Sequence, residues 1–327
     1  MRGVVFLLFS SMVCASAAEK LRMVRPMEYS GLRDASAAVA VSSNLFIVAD
    51  DEKNTLCLYS TDHPGPPLKD FDFNAFLEVT SKCPEADLEG AALLGNRAFW
   101  IGSHGRNKDG KARPNRCRLF ATDVAIKNGK VTLTPVGKPY KGLLDDLVRD
   151  SRFAEFHLAE ASTRPPKEPD ALNIEGLSAT PEEHLLLGFR NPTPHEKALL
   201  IPLINPNEVI EGKPPRFDAA VLLDLDGLGI RDMAYFEGAY FIIAGPWHSG
   251  GNFEFYRWIG GKAAPQKFTV KHLGDYHPEA IIIYPQKGFH EIQILSDDGN
   301  RPVNGIPGKE LGDFVPKTFR SFWLTDR

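Results

Sequence analysis

"DLEGAALLGNRAFWIGSHGRN", Asp87 to Asn107, reads as two short apolar strands joined by a turn, opened by a carboxylate and closed by an imidazole. Apolar runs of four to eight residues bounded by Gly, Asn or Asp are strand signals. One hairpin gives no reason for an acid at one end and a histidine at the other. Repetition supplies it. The same pattern returns as "DASAAVAVSSNLFIVADDEKN" from Asp34, "NIEGLSATPEEHLLLGFRNP" from Asn173, "GIRDMAYFEGAYFIIAGPWH" from Gly229 and "HPEAIIIYPQKGFHEIQILSDDGN" from His277. A third apolar strand follows most copies, as in "NTLCLYS", "RCRLFATD", "KALLIPL", "FEFYRW" and "FRSFWLTD". Repeats of roughly 50 residues with three or four strands each mark a β-propeller, whose blades close around a channel.

The expected fold class is therefore all-β, a propeller of five blades, with "LRMVRPMEYSG" adding an outer strand to the last blade. The gap between the second and third copies is longer and holds "KGLLDDLVRDSRFAEFHLAEA" and "TRPPKEPD". A helical insertion over about 141–172 is expected there, and a degenerate sixth blade is the alternative. A chain of 327 residues, 43% hydrophobic with 28 Gly and 25 Pro, fits one large closed β domain over 19–327. The formal charge of −4, from 38 basic and 42 acidic residues, favours neither nucleic acid nor a membrane surface. A monomer is expected.

Residues 1–18 read as a cleavable signal peptide. Arg2 gives the basic start, Val4 to Cys14 a short apolar core and Ala15-Ser16-Ala17 a small-residue cleavage site. Such a core is too short to span a bilayer, which takes about 20 residues. A secreted or periplasmic location follows, with no membrane insertion. Cys57, Cys83 and Cys117 remain, so at most one internal disulfide forms, and the spacing does not say which pair.

In a propeller the first strand of a hairpin starts at one channel mouth and the second returns to it. Ser36 to Asp51, Glu89 to His104, Glu175 to Arg190 and Arg231 to Pro246 are each fifteen residues apart. Glu279 to Asp297 is eighteen, with three extra residues in its turn. One mouth should thus gather Glu89, Glu175, Glu279 and Arg231, with His104, Arg190, Asp50, Asp51, Asp297 and Asp298 around them. Converging carboxylates repel unless something positive lies among them. Either Arg190 and Arg231 neutralise them as a scaffold, or Glu89, Glu175 and Glu279 bind a divalent cation, calcium above all. The loop after His104 is basic and offers Arg106 to an anion, while Lys108 and Lys111 read as solvated. Asn191 stands beside Arg190, and Trp247 and His248 occupy the equivalent loop of the fourth copy.

At "VADDEKN", "DLEGAA", "IGSHGRNKDGKARPNRCRLFAT", "NIEGLSA", "LGFRNP", "KALLIPL" and "GLGIRDMAY" the chain resembles the family called domain of unknown function 3616, from about Ser30 to Asp326. The resemblance implies an exported or bacterial propeller-like protein without an agreed activity. Cys117 stands where a longer polar residue is expected. More distantly, the acidic-x-Glu-Gly strand openings resemble the phytase-like propellers, which implies mouth carboxylates, calcium and a phosphate ester. Only Glu89-Gly90 and Glu175-Gly176 match, and Arg231-Asp232 departs from the pattern.

Two functions follow. One is a metal-assisted hydrolase of a small anionic ester, phosphoester or lactone. In it Glu89, Glu175 and Glu279 hold the metal, Glu89 and His104 do acid–base work, and Arg106, Arg190, Asn191, Arg231, Trp247 and His248 bind the anion. The other is a non-catalytic propeller whose mouth binds a sugar, anion or protein partner.

Overall fold

The computed structural model describes residues 19–326 apart from Asp51, Ser249, His272, Leu311, Asp313 and Phe314. The expected signal peptide, and Asp51 of the expected ring, lie outside the described residues. After β1 (Lys20–Ser30) the chain makes a four-stranded sheet in simple up-and-down order, β2 (Ala35–Ala40), β3 (Leu45–Asp50), β4 (Thr55–Ser60) and β5 (Lys69–Asp72). Helix α1 (Asn74–Leu77) leads to a second such sheet, β6 (Leu88–Leu94), β7 (Arg97–Gly102), β8 (Leu119–Lys127) and β9 (Lys130–Tyr140). The segment that follows is helical, with α2 (Leu143–Arg149), a 3-10 turn over Ser151–Phe156 and α3 (Leu158–Ala161), and it carries no strand.

The third sheet is β10 (Asn173–Ala179), β11 (Leu185–Asn191), β12 (Ala198–Leu203) and, after α4 (Pro206–Ile210), β13 (Val221–Leu223). A fourth run comprises β14 (Gly229–Phe236), β15 (Ala239–Gly245), β16 (Glu254–Trp258) and β17 (Gln266–Val270). The last run is β18 (Pro278–Ile283) and β19 (Glu291–Ser296), then β22 (Thr318–Thr325) and β1, with a small ribbon of β20 (Pro302–Val303) and β21 (Ile306–Pro307) between β19 and β22. Strand β1 pairs antiparallel with β22 from Arg22 to Ser30, so the N-terminal segment completes the C-terminal sheet. Its first residues, Lys20 and Leu21, also pair in parallel with β17, which joins the last two runs into one eight-stranded sheet. This is the propeller-like arrangement that the repeats predict.

The strands are apolar on both faces because each sheet is covered by a neighbour on either side. Along β3, Phe46 and Val48 pack with Tyr29, Ile282, Phe319 and Trp323 of the last run. The intervening Ile47 and Ala49 pack with Leu88, Trp100 and Phe120 of the second sheet. Phe99, Ile101 and Leu119 share a cluster with Ile174, Leu187 and Leu199 of the third sheet. Leu186 and Leu200 meet Ile230 and Ile242 of the fourth run, whose Phe241 and Ile243 meet Ile281, Ile294 and Phe322 of the last. Full burial of such side chains stabilises by about 1.5–3 kcal/mol each, so this circuit of shared clusters is the dominant cohesive term. The helical segment adds Leu143, Leu147, Phe153, Phe156 and Leu158 to the cluster between the second and third sheets. No helix among the described residues is long and apolar enough to cross a membrane. Cys57 is buried, Cys83 and Cys117 are half-buried, and all three thiols are free.

Closure depends on one aromatic knot. Tyr29 of β1 stacks on Phe319 at 5.1 Å between centroids and meets Phe46 and Tyr59 edge-on at 5.4 Å. We expect Tyr29→Ala to lower unfolding stability by about 3–5 kcal/mol, the usual range for removing a buried aromatic. Glu28→Ala on the same strand removes only an exposed ion pair with Arg301 and should cost less than about 1 kcal/mol. Denaturant titration of the two variants checks the contrast.

Candidate functional site

In each innermost strand the residue picked out by the repeat register is the one the strand ladder skips. Ala35 pairs with Asp50 and then Ala37 with Ala49, passing over Ser36. In the same way Glu89, Glu175, Arg231 and Glu279 are passed over in their own strands. Such a bulge inserts one unpaired residue, bends the strand and re-aims a side chain. The residue after it is small in four of the five, Ala37, Gly90, Gly176 and Ala280, because the neighbouring sheet packs there. A Cβ on Gly90 would sit 2.8 Å from the Glu175 carbonyl oxygen and 2.9 Å from Leu177 Cβ. The fifth, Asp232, turns its carboxylate to the next sheet and accepts the backbone N–H groups of Met233 and Ile281, both within 2.8 Å.

The bulges bring four of the predicted residues into one charged network. Arg231 places Nε 3.1 Å from Glu175 Oε2 and donates from Nη2 to Glu279. The Nε contact is close but misaligned, an ion pair without a hydrogen bond. Arg190 donates to Glu175 Oε1 at 2.8 Å and to the Pro246 carbonyl at 3.1 Å. Burial, then the neighbouring Arg190, pulls the Arg231 guanidinium down to about 10. Glu89 has no hydrogen bond or ion pair among the described residues. Burial, then Glu175 and Asp87, pushes its carboxyl well above the ordinary range. By accessible surface Glu89 is only half-buried, yet protein surrounds it, which is how a group lining a narrow channel behaves. Next to it Arg116 binds Asp87 at 2.7 Å and Glu85 at 3.1 Å.

Several buried acceptors near this network have no partner, and their own bonds fix which atoms these are. Nδ1 of His104 lies 2.8 Å from the Gly102 carbonyl, so Nδ1 carries the hydrogen and Nε2 is a bare, buried lone pair. The backbone there is in the left-handed region, φ +57°, uncommon for a non-glycine and typical of strained functional positions. Burial first, with a smaller push from Arg118, lowers the ring to about 4, so it is neutral at physiological pH. The Asn173 amide donates to Glu175 Oε1 at 2.7 Å, and that of Asn191 donates to the Glu168 and Pro166 carbonyls at 2.8 and 3.2 Å. Both amide oxygens are buried without a donor. The two asparagines pair across β10 and β11, and Gly105, next to His104, packs against Leu172 and Asn173.

Other expected site residues do different work. Arg106 donates to the Ser162 and Gly110 carbonyls at 2.8 and 2.9 Å, bracing its loop against the helical insertion. Asp50 is turned into the β3–β4 turn, where it caps the N–H groups of Glu52 and Lys53. Asp298 forms a buried two-pronged pair with Arg320, at 2.7 and 2.8 Å, that anchors β22. Trp247 is half-buried and His248 exposed, edge-on to each other at 5.0 Å on the loop after Pro246. Arg231 pairs with Glu175 and with Glu279, two of the three carboxylates expected to hold calcium. Among the described residues no group of three or more His, Cys, Asp or Glu side chains is placed to hold a metal ion. The reading of repeat positions missed Asn173, Asp87 and Arg116. The first two each lie two residues before a bulged glutamate, in "NIEG" and "DLEG", so the motif itself contained the signal.

Residues 131–285 match the family described as protein of unknown function, DUF3616. The matched stretch contains "NIEGLSA", "LGFRNP", "KALLIPL" and "GLGIRDMAY", while "VADDEKN", "DLEGAA" and the loop after His104 lie before it. No curated protein matches the chain by sequence. Among solved structures, the chain is similar to the PQQ-bound aldose sugar dehydrogenase of Streptomyces coelicolor, at 11% identity and a TM-score of 0.46, covering 94% of this chain and 98% of that one. It is also similar to the native arabinanase of Bacillus subtilis, at 10% identity and a TM-score of 0.45, covering 91% and 98%. Likeness at this level carries nothing about a ligand. Over 131–285 the chain thus resembles the family that its motifs indicated.

The neutral, buried His104 has a consequence for stability. In the folded protein it takes a proton near pH 4, in the unfolded chain near 6.5, so between these values the unfolded state binds more protons. Stability therefore falls as pH falls from about 6.5 to about 4. The raised carboxyls of Glu89 and Asp232 act in the opposite sense, so the comparison must be with a variant. Asparagine tolerates the left-handed backbone. We expect wild type to lose about 3 kcal/mol more than His104→Asn over that interval, measured by denaturant unfolding at each pH.

Proposed function

We propose that the protein is an exported five-bladed β-propeller whose channel mouth binds a small polar molecule without turning it over. The count of five takes β14–β17 as one blade and β18, β19, β22 and β1 as another, joined only through the two-residue parallel pairing at Lys20 and Leu21. The observation that carries the binding reading is the set of buried, unpartnered acceptors: His104 Nε2, Asn173 Oδ1 and Asn191 Oδ1. Buried polar atoms are satisfied in the great majority of cases, and each one left bare costs about 1–3 kcal/mol. Three of them on adjoining segments at one mouth are best accounted for by a molecule that supplies donors.

The hydrolase reading finds less support. Its metal would have to displace Arg231 from between Glu175 and Glu279, and both partners are buried. Arg190 and Arg231, which were to hold the substrate anion, already hold carboxylates.

Thermal melting against a diverse library of small metabolites tests the reading. A ligand of the folded state raises stability by mass action, by about 2.7 kcal/mol at a hundred times its Kd. Stabilising compounds should slow hydrogen exchange at 103–107, 173–176 and 189–191. Protection confined to the outer strands, or no stabilising compound of any class, contradicts a mouth site. The export component predicts that protein recovered from its native host begins near Glu19, and a mass showing an intact N-terminus would contradict it.

A further inference from the structure

We propose, building on the binding reading above, that the molecule taken at the mouth is a small organic cation, an ammonium or guanidinium, held against Glu89 and the bare acceptors of His104, Asn173 and Asn191. This inverts the anionic ligand expected from the arginines in the sequence. The groups that act on one another at the mouth are Asp87, Glu89, Glu175, Glu279 and Asp297 on the acidic side and Arg116, Arg190 and Arg231 on the basic side. Arg116 is shared between Asp87 and Glu85, Arg190 is spent on Glu175 and Pro246, and Arg231 on Glu175 and Glu279. Glu89 has no hydrogen bond or ion pair among the described residues.

The uncommitted hydrogen-bonding atoms agree with the charge. His104 Nε2, Asn173 Oδ1 and Asn191 Oδ1 are acceptors without a partner, while Glu175 Oε2 lacks a hydrogen bond but lies in the ion pair with Arg231. The unpartnered donors are Arg116 Nε and Arg231 Nε, and the second already faces Glu175 Oε2 at 3.1 Å. An anion would therefore meet the unpaired Glu89 carboxyl and bare acceptors and find one free donor. An ammonium would meet a lone carboxyl and several bare acceptors. Amide oxygens and an imidazole lone pair suit N–H donors, and the carboxylates do not converge in the number a metal ion requires.

The test uses the mature protein and matched probes of one size: butylammonium, butylguanidinium, butanol and butyrate, with calcium chloride as the metal arm. Calorimetry and melting should show binding of the two cations and none of the others. Glu89→Gln should weaken cation binding at least tenfold. The same change should leave the melting temperature of the free protein unchanged or raised, since it removes a carboxyl with no partner. Binding of the alcohol or the carboxylate with protection at the mouth would overturn the cation while leaving the mouth as a site. Calcium binding, or cation binding indifferent to Glu89→Gln, would overturn it as well. Binding of none of these probes would overturn the cation proposal, and the metabolite library would then decide the mouth itself.

Discussion

Arg231 is a buried cation inserted where three sheets meet, with Glu175 of the third sheet on one side and Glu279 of the last run on the other. Much at this mouth follows from that placement. Taking an arginine and two glutamates out of water costs several kcal/mol per ion, so the arrangement holds only because each charge lies against an opposite one. The bulge beneath each of these residues makes the meeting possible, since a regular strand would send alternate side chains into the clusters between sheets. Asp232, one residue on, uses the next position of the same strand to bind the Ile281 N–H group. One bulged strand therefore carries both the ionic join at the mouth and a hydrogen-bonded join between sheets.

The same ion pairs tie the third and fourth sheets and the last run together at this mouth. Arg190 and Arg231 are committed to carboxylates, so they position Glu175 rather than wait for a ligand. The bare acceptor atoms lie on His104, Asn173 and Asn191, and Glu89 has no hydrogen bond or ion pair among the described residues. The helical insertion contributes directly as well: its Ser162 carbonyl fixes Arg106, and the carbonyls of Pro166 and Glu168 fix the Asn191 amide. A segment outside the repeat thus orients one of the bare acceptors.

The fold was largely legible in the sequence because its signal is periodic. Strand, turn and strand recur at a spacing that the hairpin ladders reproduce, and "LRMVRPMEYSG", a strand outside the five copies, joins "FRSFWLTD" as expected. The site was legible only in part. Register alone located Glu89, Glu175, Arg231 and Glu279, since each stands at the same point of its copy. Register could not say which charges would neutralise one another. Arg106, Asp50 and Asp298 bind long-range partners such as Ser162 and Arg320, or turn backbone, that no repeat comparison reveals. Asn191 was expected at the site beside Arg190, whereas Asn173 looked like an ordinary strand-end polar residue. Their importance lies in which atom of each amide is left bare, and that is decided by tertiary contacts.

The central claim is that the mouth holds buried acceptors awaiting donors, and His104 states it most sharply. Heteronuclear NMR of the imidazole nitrogens reads its tautomer and charge directly. The account predicts a neutral ring protonated on Nδ1, with Nε2 unprotonated and free of a covalent hydrogen, persisting from pH 7 down toward about 4. A ring protonated on Nε2, or one that becomes an imidazolium near pH 6.5, would contradict it.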